Sequence, residues 1–177
     1  MIAVITGGSG SGKSQYAEQF LQKFPQPYIY LATMHGQGTE ARERICRHRK
    51  QREGKGFVTI EKGTHLEELV WKDRPTVLLE CISNLVANEM FDGDRNLQQT
   101  EEHIRMELQY MMNISEHIVF VTNEVFSDTL LYDEMTIEYL QLLGRINQWL
   151  AQKADIVEEV VYGITLQIKG GRCETVK

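Results

Sequence analysis

The stretch GGSGSGKS, residues 7 to 14, sets Gly7, Gly12, Lys13 and Ser14 in the spacing G-x-x-x-x-G-K-[ST]. Residues of these types in this order suit the grip of a phosphate chain. Glycines let backbone N–H groups turn toward phosphate oxygens with no Cβ in the way, and a helix starting there adds its partial positive charge. Lys13 is expected to reach the β- and γ-phosphates, and the Ser14 hydroxyl to ligate Mg²⁺. A Gly/Ser turn that fits the pattern by chance is the alternative. Context argues against it: a strand-like run, IAVIT (2–6), precedes the loop and a helical period follows. The loop predicts a nucleoside triphosphate as ligand.

Such a loop needs an acidic partner for the metal at the end of a buried strand. TVLLE (76–80) offers Glu80 there, although a glutamate can also end a strand by chance. VTNE offers Asn123 and Glu124 at a second strand end, on the edge where α/β sheets place ligands. The chain has neither N-K-x-D nor an acidic pair after TVLL. That disfavours a switch GTPase or a motor ATPase and favours a small transferase.

A second stretch, ERICRHRKQR (43–52), puts five Arg and Lys side chains and one histidine into ten residues. Thr39 is a suitable N-cap, with Glu40 and Glu43 in a first turn. A helix over 40–52 would set Ala41, Ile45, His48 and Arg52 on one face. Pattern alone favours a solvated basic helix or a satisfied structural histidine. The neighbours shift that reading. Arg44, Arg47, Arg49 and Arg52 disfavour protonation of His48, keeping a ring nitrogen nucleophilic, and they would stabilise charge on a phosphate under attack.

The elements that must position these residues show in the apolar pattern. IAVIT (2–6), YIYLA (28–32), FVTIE (57–61), TVLLE (76–80) and IVFVT (118–122) read as short strands. Tyr16, Phe20 and Phe24 predict a helix that Pro25 and Pro27 stop. Thr64 and Glu67 have capping-box spacing before Leu66, Leu69 and Val70, predicting another. Leu97, Ile104, Leu108 and Met111 mark a third, and Ile137, Leu140, Leu143, Trp149 and Leu150 a fourth. VEEVVYGITLQIKGG reads as one or two strands turning near Gly163. The expected fold is α/β: a P-loop (RecA-like), three-layer arrangement with a mainly parallel sheet, helices on both faces and a C-terminal antiparallel strand. No repeat or linker interrupts it, so residues 1–177 are read as one nucleotide-binding transferase domain.

Composition bounds the partners. With 19 basic and 25 acidic residues the net charge is -6, which argues against general nucleic-acid binding and makes the basic run a local feature. Cys46, Cys81 and Cys173 are odd in number with no C-x-x-C pair, as expected of reduced thiols. No signal peptide and no membrane-spanning run is apparent, so a soluble, cytoplasmic protein is expected.

TGGSGSGKS, LAT (31–33), RICRH (44–48), TIE (59–61), LLECISNLVAN (78–88), VTNEV (121–125) and GRINQWLAQKAD (144–155) occur in order along nearly the whole chain. Together they resemble the bifunctional adenosylcobinamide kinase/adenosylcobinamide-phosphate guanylyltransferases of cobalamin biosynthesis. The resemblance implies that ATP or GTP phosphorylates adenosylcobinamide. GTP then gives GMP to a histidine, here His48, and on to adenosylcobinamide phosphate. It also implies nucleotide contacts at Gly7, Gly8, Ser9, Gly10, Ser11, Gly12, Lys13 and Ser14, at Ala32, Thr33 and Met34, at Arg49, Lys50, Gln51 and Arg52, and at Glu61 and Glu80. Mg²⁺ would rest on Ser14 and Glu80, and the assembly would be a homotrimer. The chain departs from the family pattern at Gly10, Phe57 and Glu80. It departs most at FSDTLLYDEM (126–135), where the family has a glycine-rich loop. Two other readings stay open: a P-loop kinase or nucleotidyltransferase with one activity lost or its acceptor changed, and a nucleotide-binding regulator without turnover.

Overall fold

Short β-branched and aromatic runs pair where the apolar pattern placed them. The computed structural model describes residues 1–34, 54–92, 94–126 and 132–171. Its strands are β1 (Ile2–Thr6), β2 (Tyr28–Ala32), β3 (Phe57–Glu61), β4 (Thr76–Glu80), β5 (His117–Val121), β6 (Ile156–Val161) and β7 (Ile164–Lys169). They form one sheet in the order β3-β2-β4-β5-β1-β6-β7. Every pairing is parallel except β6 with β7, which is antiparallel. The central strands β2, β4 and β5 are buried along most of their length, which explains their unbroken apolar runs.

Helices cover both faces. Helix α1 (Lys13–Leu21) lays Ala17, Phe20 and Leu21 on Ala3, Ile5, Leu78, Val119 and Val121. The opposite face, with Val4, Leu31, Val77, Leu79, Ile118 and Phe120, is covered by α2 (Ile82–Phe91), α3 (Leu97–Ile114) and α4 (Glu134–Lys153). Asn96 starts α3 with a complete capping box: its side chain accepts from Gln99 N at 3.0 Å, and Gln99 Oε1 accepts from Asn96 N at 3.1 Å. Asp133 caps α4 by accepting from Thr136 N at 2.8 Å. The result is the three-layer α/β arrangement that the pattern predicted.

Three local expectations change. Helix α1 ends at Leu21, so Phe24 lies in the following turn, its ring 5.8 Å from Phe20. No α-helix follows Thr64. Only a 3₁₀ turn, Leu66–Glu68, forms there, entered through His65 in a left-handed conformation (φ 54) without a side-chain cap. Val70 stays exposed beyond it. Helix α2 has no counterpart among the predicted elements. No described helix is long and apolar enough to cross a membrane.

Candidate active site

The glycine-rich loop sits between β1 and α1, at the carboxyl edge of the sheet. Gly12 precedes α1 at φ 91, a left-handed conformation that suits glycine. Gly7 is constrained by space as well. A Cβ there would lie 2.5 Å from the Val160 carbonyl oxygen and 2.7 Å from Ser11 Oγ. The loop is closed by Ser11 N on Gly8 O (3.2 Å) and braced from outside by Gly163 N on Ser11 O (2.9 Å) and Glu124 N on Gly7 O (3.0 Å).

Lys13 and Ser14 open α1. Lys13 is largely buried, and its Nζ donates to Gly8 O at 3.1 Å, folding the ammonium back over the loop. Burial pulls its pKa below the ordinary lysine value, with Cys81 and Glu80 acting in the opposite direction. The Ser14 hydroxyl donates to Glu80 Oε1. Strand β5 lies between β1 and β4 in the sheet, so this contact reaches across one intervening strand. Tyr30 OH donates to the other carboxylate oxygen, Oε2, at 2.5 Å. A hydroxyl and a carboxylate held together are oxygen donors of the kind Mg²⁺ takes, so the pair fits that ion.

The end of β4 is tied down on its far side. Thr33 Oγ1 accepts from Cys81 N and donates to Cys81 O, both at 2.8 Å, and Thr33 N donates to Glu80 O at 3.0 Å. The Glu80–Cys81 peptide bond between these contacts is cis. Asn88 of α2 donates to Thr33 O (2.8 Å) and to Gly63 O (2.9 Å), joining the ends of β2 and β3. Asn123, after β5, donates to Ser83 Oγ at 2.5 Å. Cys81 is a buried free thiol whose pKa is raised by burial, consistent with packing rather than nucleophilic chemistry.

Gly7 to Ser14, Ala32 to Met34, Glu61 and Glu80 thus share one edge. Ala32 stands in register with Glu61 on one side and Glu80 on the other. Thr33 is fully buried, and its hydroxyl faces Cys81. Glu61 ends β3, four strand spacings from β1, roughly 19 Å at about 4.8 Å per strand. His48, Arg49, Lys50, Gln51, Arg52 and the rest of the basic run lie outside the described residues, as do Cys46, Cys173 and residues 127–131.

Sequence reasoning missed Tyr30, Asn88 and the cleft beside the loop. This cleft, of about 480 Å³, is lined by Ser9, Glu124, Val125, Tyr132, Thr136, Tyr139 and Leu140. Tyr139 OH donates to Ser83 O at 3.2 Å, and burial pushes its pKa to about 12. Tyr30 and Tyr139 carried no signal of their own, because their partners, Glu80 and Ser83, lie 50 and 56 positions away in sequence.

A phosphate-gripping loop after the first strand of a parallel sheet, with a serine–carboxylate pair at its helix start, defines a P-loop nucleotide-binding protein. The family model CobU, cobinamide kinase / cobinamide phosphate guanyltransferase, matches residues 3–168, and the chain belongs to that family of enzymes. It is 34% identical over 183 residues to the bifunctional adenosylcobalamin biosynthesis protein CobU of Escherichia coli (strain K12), covering 96% of this chain and 100% of that one. The protein of the same name from Salmonella typhimurium is 33% identical over the same shares. Among solved structures, the flagellar accessory protein FlaH of Methanocaldococcus jannaschii aligns at a TM-score of 0.49 and 14% identity, over 96% of this chain and 78% of that one.

Proposed function

We propose that this chain carries out both reactions of its family on adenosylcobinamide. In the first, the aminopropanol hydroxyl attacks the γ-phosphorus of ATP or GTP. The P–O bond to the β-phosphate breaks, and the nucleoside diphosphate leaves. In the second, a neutral His48 nitrogen attacks the α-phosphorus of GTP, forming a P–N bond as pyrophosphate departs. A phosphate oxygen of adenosylcobinamide phosphate then displaces the histidine, giving adenosylcobinamide-GDP.

The observation that carries this reading is the Ser14–Glu80 contact at the mouth of the glycine-rich loop. It joins the two groups a P-loop transferase needs around a triphosphate, in a chain of this family. Backbone N–H groups of Gly8 to Ser14 and the Lys13 ammonium hold the β- and γ-phosphates. Ser14 and Glu80 would hold Mg²⁺, which supplies charge neutralisation on the triphosphate when bound. Thr33 acts through Cys81, fixing where Glu80 points. Ala32, Met34 and Glu61 lie farther along the edge, where the nucleoside belongs, and Arg49, Lys50, Gln51 and Arg52 accompany His48 on the phosphates. The cleft at Tyr132 and Tyr139, beside the phosphate loop, accepts the aminopropanol arm. We place the enzyme in the cytoplasm, with its triphosphates, as a homotrimer whose basic segment serves a neighbouring site.

The test is covalent labelling. With α-labelled GTP and Mg²⁺ the chain should acquire a label that survives alkali and is lost in acid, and His48→Ala should acquire none. A label that persists in His48→Ala refutes the guanylyl-transfer step. The divergent FSDTLLYDEM segment supports a second reading, a transferase with a changed acceptor. Labelling at His48 with no phosphorylation of added adenosylcobinamide would favour it.

A further inference from the structure

Away from the nucleotide edge, the 3₁₀ turn Leu66–Glu68 packs on α3 through a polar cluster that the transferase chemistry does not use. His103 and Glu107 stand one turn apart on α3, so both face the same way. Glu67 comes from the turn. One potential ligand atom from each of these three residues lies within 4.8 Å of the other two. Three atoms here are buried with no hydrogen-bond partner: Glu67 Oε2, His103 Nε2 and Glu107 Oε2. Glu107 is fully buried, and its other oxygen, Oε1, is already taken by Leu66 N at 2.7 Å.

We propose that Glu67, His103 and Glu107 form a binding site for a dication of the Zn²⁺ class, clamping the 3₁₀ turn to α3. The donor set selects the ion. One imidazole nitrogen with two carboxylate oxygens suits Zn²⁺, whereas Mg²⁺ and Ca²⁺ favour oxygen alone. Tetrahedral Zn²⁺ with bonds of about 2.0–2.1 Å sets its ligands about 3.4 Å apart, so the trio closes by small rotations of two long glutamates. Glu67 is only partly buried and leaves a route for the ion and for a water as fourth ligand. His65 Nδ1, 3.4 Å from Glu67 Oε1, is placed to orient that carboxylate.

Charge agrees. Around the trio stand three carboxylates, Glu67, Glu89 and Glu107, and one permanent cation, Arg95, which is already bound to Glu89. Carboxylates outnumber the permanent cation there, an excess of negative charge that a dication offsets. A proton shared between Glu67 and Glu107 would satisfy two of the three atoms and leave His103 Nε2 with only long contacts, 3.5 Å to Glu89 Oε2 and 3.9 Å to Glu107 Oε1. A dication satisfies all three.

Zn²⁺ alone, titrated into the chelator-stripped full chain without nucleotide, tests the site. One equivalent should bind and raise the melting temperature. Glu67→Gln and His103→Gln should each weaken binding by about 100-fold or more, at or above the loss seen when only a supporting group is removed. Co²⁺ in place of Zn²⁺ should give a visible absorption band that survives Ser14→Ala and disappears in Glu67→Gln. Glu67 lies at the surface of the cluster, so that variant keeps the core intact if His103→Gln fails to fold. Absence of stoichiometric binding, or binding that persists unchanged in Glu67→Gln, overturns the proposal.

Discussion

Thr33 is fully buried after β2, and its hydroxyl holds both the amide and the carbonyl of Cys81. Those bonds fix the backbone immediately after Glu80, so they set the direction of the carboxylate facing Ser14. Thr33→Val keeps the side-chain shape and removes the hydroxyl, leaving the buried Cys81 N–H without that partner. The expected loss is about 1–3 kcal/mol of stability, read from urea unfolding, with slower nucleotide turnover. Thr33→Ser should recover both, and equal unfolding midpoints for Val and Thr would contradict the assignment. The phosphate loop was legible in the sequence because its chemistry is local, eight consecutive residues with fixed glycine spacing. Tyr30 on Glu80 was not, since that contact spans 50 positions and depends on strand pairing.

At the scale of elements, α3 shows what a sequence signal needs to be decisive. Its buried Ile104, Leu108 and Met111 recur at helical spacing, and the Asn96–Gln99 box closes its start. Asn96→Ala should destabilise the protein by about 0.5–2 kcal/mol, measured by denaturant unfolding, and Asn96→Asp should restore most of it. Thr64 and Glu67 carry the same capping spacing and yield only a 3₁₀ turn. Glu67 there faces His103 and Glu107 instead of reaching back to a cap, so tertiary contacts override the local signal. Helix α2 was illegible for the opposite reason. ISNLVANEMF buries Ile82, Ser83, Leu85, Val86 and Glu89 under α3 and α4, and this broad buried surface blurs the period.

Over the whole molecule, three layers bury charge as well as apolar surface, and that charge answers to pH. Burial, with the Glu89 and Glu67 carboxylates beside it, pushes Glu107 from 4.5 up to about 8, although the Leu66 N–H pulls the other way. The folded state therefore holds more protons than the unfolded chain between those values, and stability falls as pH rises through that window. In chelator-treated protein the melting temperature should drop from about pH 5 to about pH 9, and Glu107→Gln should flatten that drop. Parallel profiles for the two proteins would exclude Glu107 as the source. The antiparallel hairpin at the other end of the sheet reaches back to the nucleotide edge. Its Tyr162–Gly163 turn, both residues at positive φ, hangs the Gly163 amide on the Ser11 carbonyl. Whatever stiffens the loop on triphosphate binding must also slow the opening of that bond. Deuterium uptake in a peptide around residue 163 should fall when nucleotide is added, so an exposed turn some 150 positions downstream becomes a reporter of occupancy.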